Sequence, residues 1–235
     1  MGQLRSVVCV FSGGLDSTVM LYEMLRQYDE VRTLSFDYGQ RHRRELVHGA
    51  TIAARVGSHP SFKEHWVADV SAIAPLLAGS SQTSPEIPVP RGHYEDESMR
   101  ATVVPARNMI MLAIATGWAV SKGAGAVAYG AHAGDHAVYP DCRPQFIEAM
   151  GSAMGLADYS KVQLISPFAD RTKADIVIRG ACLEVPFGDT WSCYEGLDRH
   201  CGACGTCVER IEAFQVAHVA DPTEYLTGRK ESMDG

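Results

Sequence analysis

The chain has 235 residues, of which 46% are hydrophobic and 21% charged, as expected for a globular protein with one main core. Its formal net charge of −7 argues against a dedicated nucleic-acid binder, because such proteins usually carry a basic surplus. No apolar run reaches the roughly 18–20 residues that a membrane-spanning helix needs, and the first residues lack a secretory signal pattern. We therefore expect a cytoplasmic protein that binds neither membrane nor nucleic acid directly.

Strand and helix signals alternate along most of the chain. Strands are predicted at 6–11, 31–36, 64–70, 126–129 and 162–165, and helices at 16–27, 41–56, 107–122, 144–154 and 172–182. Such alternation predicts an α/β fold, with a parallel sheet covered by helices on both faces. Sheets of this kind bind ligands at the carboxyl ends of their strands.

The first predicted strand runs directly into residues 12–17, Ser-Gly-Gly-Leu-Asp-Ser, and a helix follows. Main-chain N–H groups and a helix N-terminus converge at such a turn, where they bind an anion. The segment matches neither G-x-x-x-x-G-K-[ST] nor G-x-G-x-x-G. It resembles the pyrophosphate loop (PP-loop) of the ATP pyrophosphatase families, which split ATP between the α- and β-phosphates and leave an adenylated substrate.

Four of the seven cysteines, Cys193, Cys201, Cys204 and Cys207, lie close together with the spacing C-x7-C-x2-C-x2-C. Four thiolates at this spacing predict a closed, structural Zn²⁺ site. An iron–sulfur cluster uses the same ligands, and two disulfides are the remaining alternative. Cys9 and Cys182 are expected to be small buried hydrophobic residues.

Other polar residues follow predicted strands at the same edge of the sheet. Asp37 is a candidate ligand for Mg²⁺ or a substrate amine, or else it stabilises a turn. Arg107, at the start of the helix at 107–122, is a candidate phosphate ligand, or else an exposed arginine without a role. Lys173 is a candidate pyrophosphate contact, or else a solvated lysine beside the helix-capping Thr172. A dense titratable run follows the strand at 126–129 and predicts a substrate-binding loop that includes His132, Asp135, His136, Asp141 and Arg143.

Two regions interrupt the alternation. Residues 79–100 are expected to be too polar and proline-rich to pack, so they form either a mobile lid over the site or a disordered insertion. The second region begins near Trp191 and carries the cysteines. We expect an ATP-binding core at 1–189, with a mobile loop at 79–100, and a small helical zinc-binding region at 190–235.

Taken together, these segments resemble the 7-cyano-7-deazaguanine synthase family of the queuosine pathway. A PP-loop alone is shared with GMP synthetase, NAD synthetase and tRNA-thiolating enzymes, but the cysteine spacing makes the match specific. The resemblance spans nearly the whole chain and rests on residues 11–18, 34–42, 107–108, 139–144, 190–194 and 200–207.

The resemblance implies a Rossmann-like nucleotide-binding α-hydrolase core, one Zn²⁺ and a homodimer. It implies conversion of 7-carboxy-7-deazaguanine and ammonia to the nitrile at the expense of ATP with Mg²⁺, through an adenylated carboxylate and then an adenylated amide. The cofactor-binding residues would be Phe11, Ser12, Gly13, Gly14, Leu15, Asp16, Ser17 and Thr18.

Catalytic roles would then fall to Asp16, Ser17, Arg107 and Lys173, with Asp16 and Mg²⁺ organising the pyrophosphate. The substrate residues would be Asp37, Asp135, Asp141 and Arg143. Among them, Asp141 would accept two adjacent N–H groups of the guanine edge, and Arg143 would pair with the substrate carboxylate or a phosphate.

Two other functions stay open from the sequence. A tRNA-thiolating PP-loop enzyme would share the loop, although the acidic charge balance argues against an RNA surface. A non-catalytic zinc module that binds a nucleotide would share both the loop and the cysteines. A homologue with another role, such as DNA modification, would keep the same signature.

Overall fold

The computed structural model describes residues 5–226, in which five parallel strands form one sheet in the order β3-β2-β1-β4-β5. The strands are β1 Ser6–Val10, β2 Glu30–Asp37, β3 Phe62–Asp69, β4 Ala126–Ala128 and β5 Gln163–Ile165. The helices are α1 Leu15–Gln27, α2 Arg44–Arg55, α3 Arg107–Ser121, α4 Pro144–Ala157, α5 Lys173–Cys182 and α6 Gly205–Val216. The predicted parallel α/β fold is confirmed, and the predicted ends are correct to within a few residues.

Helices cover both faces of the sheet, as predicted. Val7 and Cys9 of the central strand β1 pack into one apolar cluster with α1, α5 and α6. Val8 packs on the opposite face into a second cluster with α3 and α4. Burial on both faces explains why β1 is a continuous apolar run, since an alternating pattern belongs to strands with one solvated face.

Part of the segment 79–100 packs against the rest of the protein, so the prediction that it is too polar to pack is wrong for that part. Ser80, Ser81 and Gln82 are fully buried. Their main-chain groups find partners, because the Ser81 N–H donates to the Ala101 carbonyl and the Gln82 carbonyl accepts from the Arg41 N–H. Polar chain can be buried where its hydrogen bonds are satisfied. Movement of this segment stays a prediction.

A buried ion pair lies within the chain after residue 189. Arg210 of α6 has no solvent exposure, and its Nη2 lies 3.2 Å from Oδ1 of Asp221. The same guanidinium donates to the Phe187 carbonyl oxygen and to the Thr190 hydroxyl. These contacts join α6 to the residues that precede the cysteines. The division into regions at 189 and 190 stays a prediction.

Two further expectations concern single cysteines and the membrane. Cys9 is buried as predicted, but Cys182 is exposed at the end of α5, so its expected burial is wrong. Between residues 5 and 226, no helix is long and apolar enough to cross a bilayer.

Candidate functional site

The PP-loop connects β1 to α1 at the carboxyl edge of the sheet. Gly13 has a φ of +80°, a region that favours glycine, and a Cβ built on it would lie 2.4 Å from the main-chain nitrogen of Gly49 in α2. A glycine at this position therefore lets the loop pack directly on the backbone of α2.

Hydrogen bonds made by the hydroxyl groups of the loop stabilise its conformation. The Ser12 hydroxyl accepts from the Gly14 N–H and lies 3.1 Å from the Ser17 hydroxyl. The hydroxyls of Ser17 and Thr18 both donate to the Gly14 carbonyl. These bonds preorganise the turn at the start of α1, where the helix dipole favours an anion.

Lys173 joins α5 to the PP-loop. Its Nζ lies 2.6 Å from Oδ2 of Asp16, 3.2 Å from Oε2 of Glu209 and 3.3 Å from Nε2 of His132. Thr172 caps α5 through a reciprocal capping box with Asp175, as one of the two sequence interpretations had it. Lys173 itself is not solvated, because its side chain is largely buried among these acidic groups.

The electrostatics of this cluster follow from burial and charge. Burial alone would raise the pKa of Asp16, but Lys173 and His132 outweigh it and lower that pKa. Burial alone would lower the pKa of Lys173, but Asp16, Glu209 and Asp135 outweigh it and raise that pKa. Burial raises the pKa of Glu209, and Lys173 offsets this only in part. Oδ1 of Asp16 is buried and has no hydrogen-bond partner within residues 5–226.

One cavity opens above the loop and brings together most of the predicted site residues. Of the predicted residues, those that line it are Phe11, Ser12, Gly14, Leu15, Asp16, Ser17, Arg107, Asp135 and Lys173. They come from different segments of the chain that meet at the carboxyl edge of the sheet, where the fold predicts a ligand site.

The remaining predicted residues do not line this cavity. Asp141 accepts a hydrogen bond from the Asn108 N–H, 3.0 Å away, and so stabilises the N-terminus of α3. The exposed Arg143 donates to the His136 carbonyl. Asp37 pairs with Arg43 and accepts from the Gly39 N–H. Gly13 and Thr18 belong to the loop but do not line the cavity. Substrate contacts by Asp37, Asp141 and Arg143 have no support from this geometry and stay predictions.

Tyrosines form the wall around Arg107. The Arg107 guanidinium donates to the Tyr38 hydroxyl, and burial raises the pKa of Tyr38 to about 12, which keeps its phenol protonated. The Tyr139 hydroxyl lies 3.3 Å from that of Tyr194. Sequence reasoning gave these side chains no role, although Tyr38, Tyr139 and Tyr194 all lie within the motifs that carried the resemblance.

Glu209 was missed altogether. It lies on α6, two residues after Cys207, and its carboxylate reaches the cavity beside Lys173. No periodic or motif signal at position 209 indicates a partner in α5. The one hint that the sequence offers of a role for Glu209 is its position two residues after Cys207, a predicted metal ligand.

The four predicted cysteines form a buried cluster, with their Sγ atoms all within 4.8 Å of one another. The Sγ atoms of Cys201 and Cys207 are 3.9 Å apart, too far for a disulfide bond. That distance is close to the edge of about 3.8 Å that follows from tetrahedral Zn–S bonds. Main-chain N–H groups of Ala203 and Cys204 point at the Cys201 sulfur, as expected around a thiolate.

Comparison with known proteins shows to which family the chain belongs. The family model described as "Queuosine biosynthesis protein QueC" matches residues 6–218. The chain belongs to the QueC family. Relatives that carry the name 7-cyano-7-deazaguanine synthase include the following three. The protein of Brucella ovis is 50% identical over 93% of this chain and 92% of its own length. That of Hahella chejuensis is 49% identical over 93% and 92%, and that of Pseudoalteromonas translucida is 46% identical over 94% and 99%.

Proposed function

We propose that the protein is a 7-cyano-7-deazaguanine synthase, which converts 7-carboxy-7-deazaguanine and ammonia to the nitrile with ATP. The observation that carries this proposal is the contact of Lys173 with Asp16 at a cavity lined by the PP-loop. The proposal is supported by relatives of that name, which are 46% and 50% identical over more than nine-tenths of this chain, and by the buried four-cysteine cluster beside the loop.

The chemistry explains why ATP is needed. A carboxylate is a poor electrophile, because its leaving group would be oxide. Transfer of the carboxylate to the α-phosphate gives an acyl-adenylate, whose leaving group is AMP, and ammonia converts it to the amide. A second adenylation, of the amide oxygen, followed by elimination gives the nitrile. Fixed positive groups that meet the departing pyrophosphate lower the barrier of both adenylations.

The residues of the cavity suit these steps. The N-terminus of α1 and the Lys173 ammonium provide positive charge for the pyrophosphate. Arg107 also lines the cavity and is available for a phosphate or the substrate carboxylate. Ser12 and Ser17 keep the loop in its anion-binding shape.

Two metals are part of the proposal. The unpartnered, buried Oδ1 of Asp16 fits a Mg²⁺ ligand, and Mg²⁺ would neutralise charge on the phosphates. The four buried sulfurs fit one structural Zn²⁺, held by Cys193, Cys201, Cys204 and Cys207.

We also propose a cytoplasmic homodimer. Clustered thiolates need a reducing compartment to hold a metal, which supports the cytoplasm. Met109 and Ile114 of α3 and Leu156 of α4 are exposed, and these two helices carry one charged residue each, Arg107 and Glu148. An Ile114→Glu substitution should lower the molar mass measured by light scattering if this face joins two copies.

The test of the proposed function is a direct assay. The protein is incubated with ATP, Mg²⁺, ammonia and 7-carboxy-7-deazaguanine, and the products are identified by mass spectrometry. We expect the nitrile, AMP and pyrophosphate. AMP formation only with tRNA and a sulfur donor would identify a thiolating enzyme instead, and nucleotide binding without AMP formation would identify a binding module.

A further inference from the structure

His42 is a buried histidine in the cavity wall to which the proposed function gives no role. It is 3% exposed, and its ring packs against that of Tyr194, with the centroids 5.1 Å apart. Its Nδ1 is buried and has no hydrogen-bond partner within residues 5–226. An unsatisfied buried polar atom costs free energy, so its presence in the wall of a cavity points to a partner supplied by a bound ligand.

The other ring nitrogen of His42 is held by a fixed carboxylate. Nε2 lies 3.3 Å from Oε1 of Glu45, and that oxygen also accepts a 3.1 Å hydrogen bond from Nε2 of Gln40. Gln40 is itself fixed, because its Nε2 donates to the Phe36 carbonyl and its Oε1 accepts from the Tyr38 N–H. A carboxylate beside Nε2 favours the tautomer with the proton there, which leaves the lone pair on Nδ1.

His42 and Glu45 belong to the same cavity as the adenylating groups. Both line it together with Ser12 and Gly14 of the PP-loop and with Arg107. A nitrogen nucleophile that attacks an adenylate formed in this cavity must enter the same space. It must also lose a proton there, because an amide carries one hydrogen fewer on nitrogen than ammonia does.

We propose that His42 is a further catalytic residue, whose Nδ1 accepts this proton. The inference rests on the proposed function. In the step, the ammonia nitrogen forms a bond to the acyl carbon of the adenylate. The bond from that carbon to the AMP oxygen breaks, and its electron pair leaves with AMP. One N–H proton passes to Nδ1, and the Glu45 carboxylate stabilises the imidazolium that results.

The test separates adenylation from amination. Carboxylate-dependent exchange of labelled pyrophosphate into ATP, measured without ammonia, reports the first step, and nitrile formation reports both. His42→Ala should keep pyrophosphate exchange near the wild-type rate and lose nitrile formation by about 10²–10⁴-fold. Added imidazole should restore part of the lost rate, because it supplies the missing base.

A second variant distinguishes loss of the base from misfolding of His42→Ala. His42→Asn keeps a polar group near the position of Nδ1 but cannot take a proton, and it should show the same separation of the two rates. His59→Ala is the matched control, since His59 lies outside the cavity and accepts a hydrogen bond from the Ser61 N–H. It should match the wild type in both assays.

The outcomes are distinct. Wild-type nitrile formation in His42→Ala would overturn the inference, and so would an equal loss of exchange and nitrile formation in folded His42→Asn. Failure of the unmodified protein to make the nitrile at all would instead overturn the proposed function.

Discussion

The main-chain N–H of Trp191 donates a hydrogen bond to the carbonyl oxygen of Gly13, with the two atoms 2.9 Å apart. Trp191 lies two residues before Cys193, and its indole N–H donates to the Cys193 carbonyl. The PP-loop is therefore hydrogen-bonded directly to the segment that precedes the cysteine cluster. Through this bond, and through Glu209 two residues after Cys207, the cysteine cluster is connected to two parts of the proposed ATP site.

Loss of the proposed Zn²⁺ should therefore weaken ATP binding as well as stability. We expect about one zinc per chain, from the ligand set, and Cys204→Ser should lose both the metal and the folded state. Metal analysis, calorimetric ATP binding and thermal unfolding measure the three effects. Cys182→Ser, at an exposed cysteine, is the control and should leave all three unchanged. Bound iron with a brown colour would favour the iron–sulfur alternative.

Asp16→Ala should abolish AMP release while leaving the fold intact. Asp16 is one of two acidic partners of Lys173 in the cavity, and its unpartnered oxygen is the group that fits Mg²⁺. Circular dichroism checks the fold, and chromatography of the nucleotides measures AMP. Asp170→Ala removes an exposed carboxylate outside the cavity and should turn over normally. Normal AMP release in Asp16→Ala would show that the loop has been assigned wrongly.

Glu209→Gln should slow the overall reaction by about 10–100-fold, the range that follows from losing one charge-assisted hydrogen bond. The change leaves Lys173 with Asp16 as its remaining close carboxylate, so the ammonium is held less firmly. Glu212→Gln makes the same charge change on the same helix, but at a half-exposed residue that pairs with His93. Equal rates in the two variants would show that Glu209 has no role in the site.

Arg210→Met should destabilise the protein by about 3–5 kcal/mol, because it leaves the buried Asp221 carboxylate without its cation. Denaturant unfolding measures this. Arg179→Met is the matched control, since Arg179 is about half exposed and its pairing with Glu23 should contribute less than about 1 kcal/mol. Similar losses in both variants would contradict a special role for the buried pair.

The same pair predicts a pH dependence of stability. Burial alone would raise the pKa of Asp221, but Arg210 and the Tyr225 hydroxyl outweigh it and hold the pKa below its ordinary value of 3.8. A carboxyl with a lowered pKa stabilises the fold fully above its unfolded pKa, and this contribution is lost as the pH falls through the folded pKa. Unfolding free energy should therefore fall below about pH 4, and less steeply in Arg210→Met.

Gly13→Ala should disrupt the loop, because the added Cβ meets the main chain of α2 and the backbone has a positive φ. We expect lower thermal stability and loss of ATP binding. Gly155→Ala is the control, because Gly155 lies in α4 with open space around it. It should be neutral or stabilise by about 0.4–1 kcal/mol. An unchanged Gly13→Ala variant would mean that α2 can move away.

The sequence predicted the sheet and its helices because hydrophobic periodicity is a local signal. It also predicted that Lys173 and the PP-loop share an edge, since both follow strands of one parallel sheet. Side-chain partners were harder to predict. Asp141 lies in a family motif, yet its carboxylate caps α3 instead of facing the cavity.

Other sequence-based predictions failed for the same reason, because the contacts that decide them join segments that are distant in the sequence. Composition marks residues 79–100 as polar, but it cannot show that Arg41 donates to carbonyls of Ser84, Pro85 and Ile87 and so holds the segment in place. Glu209 reaches Lys173 only through the packing of α6 on α5. Neither contact leaves a pattern that one sequence displays.

The bond between Gly13 and Trp191 also constrains the order of events during synthesis. The loop leaves the ribosome well before its partner, which emerges almost 180 residues later. Long-range contacts of this kind form late, because the chain must lose conformational entropy to close the loop before the contact stabilises it. A nascent chain truncated before residue 191 should therefore carry a complete nucleotide-binding motif and yet be unable to hold it closed.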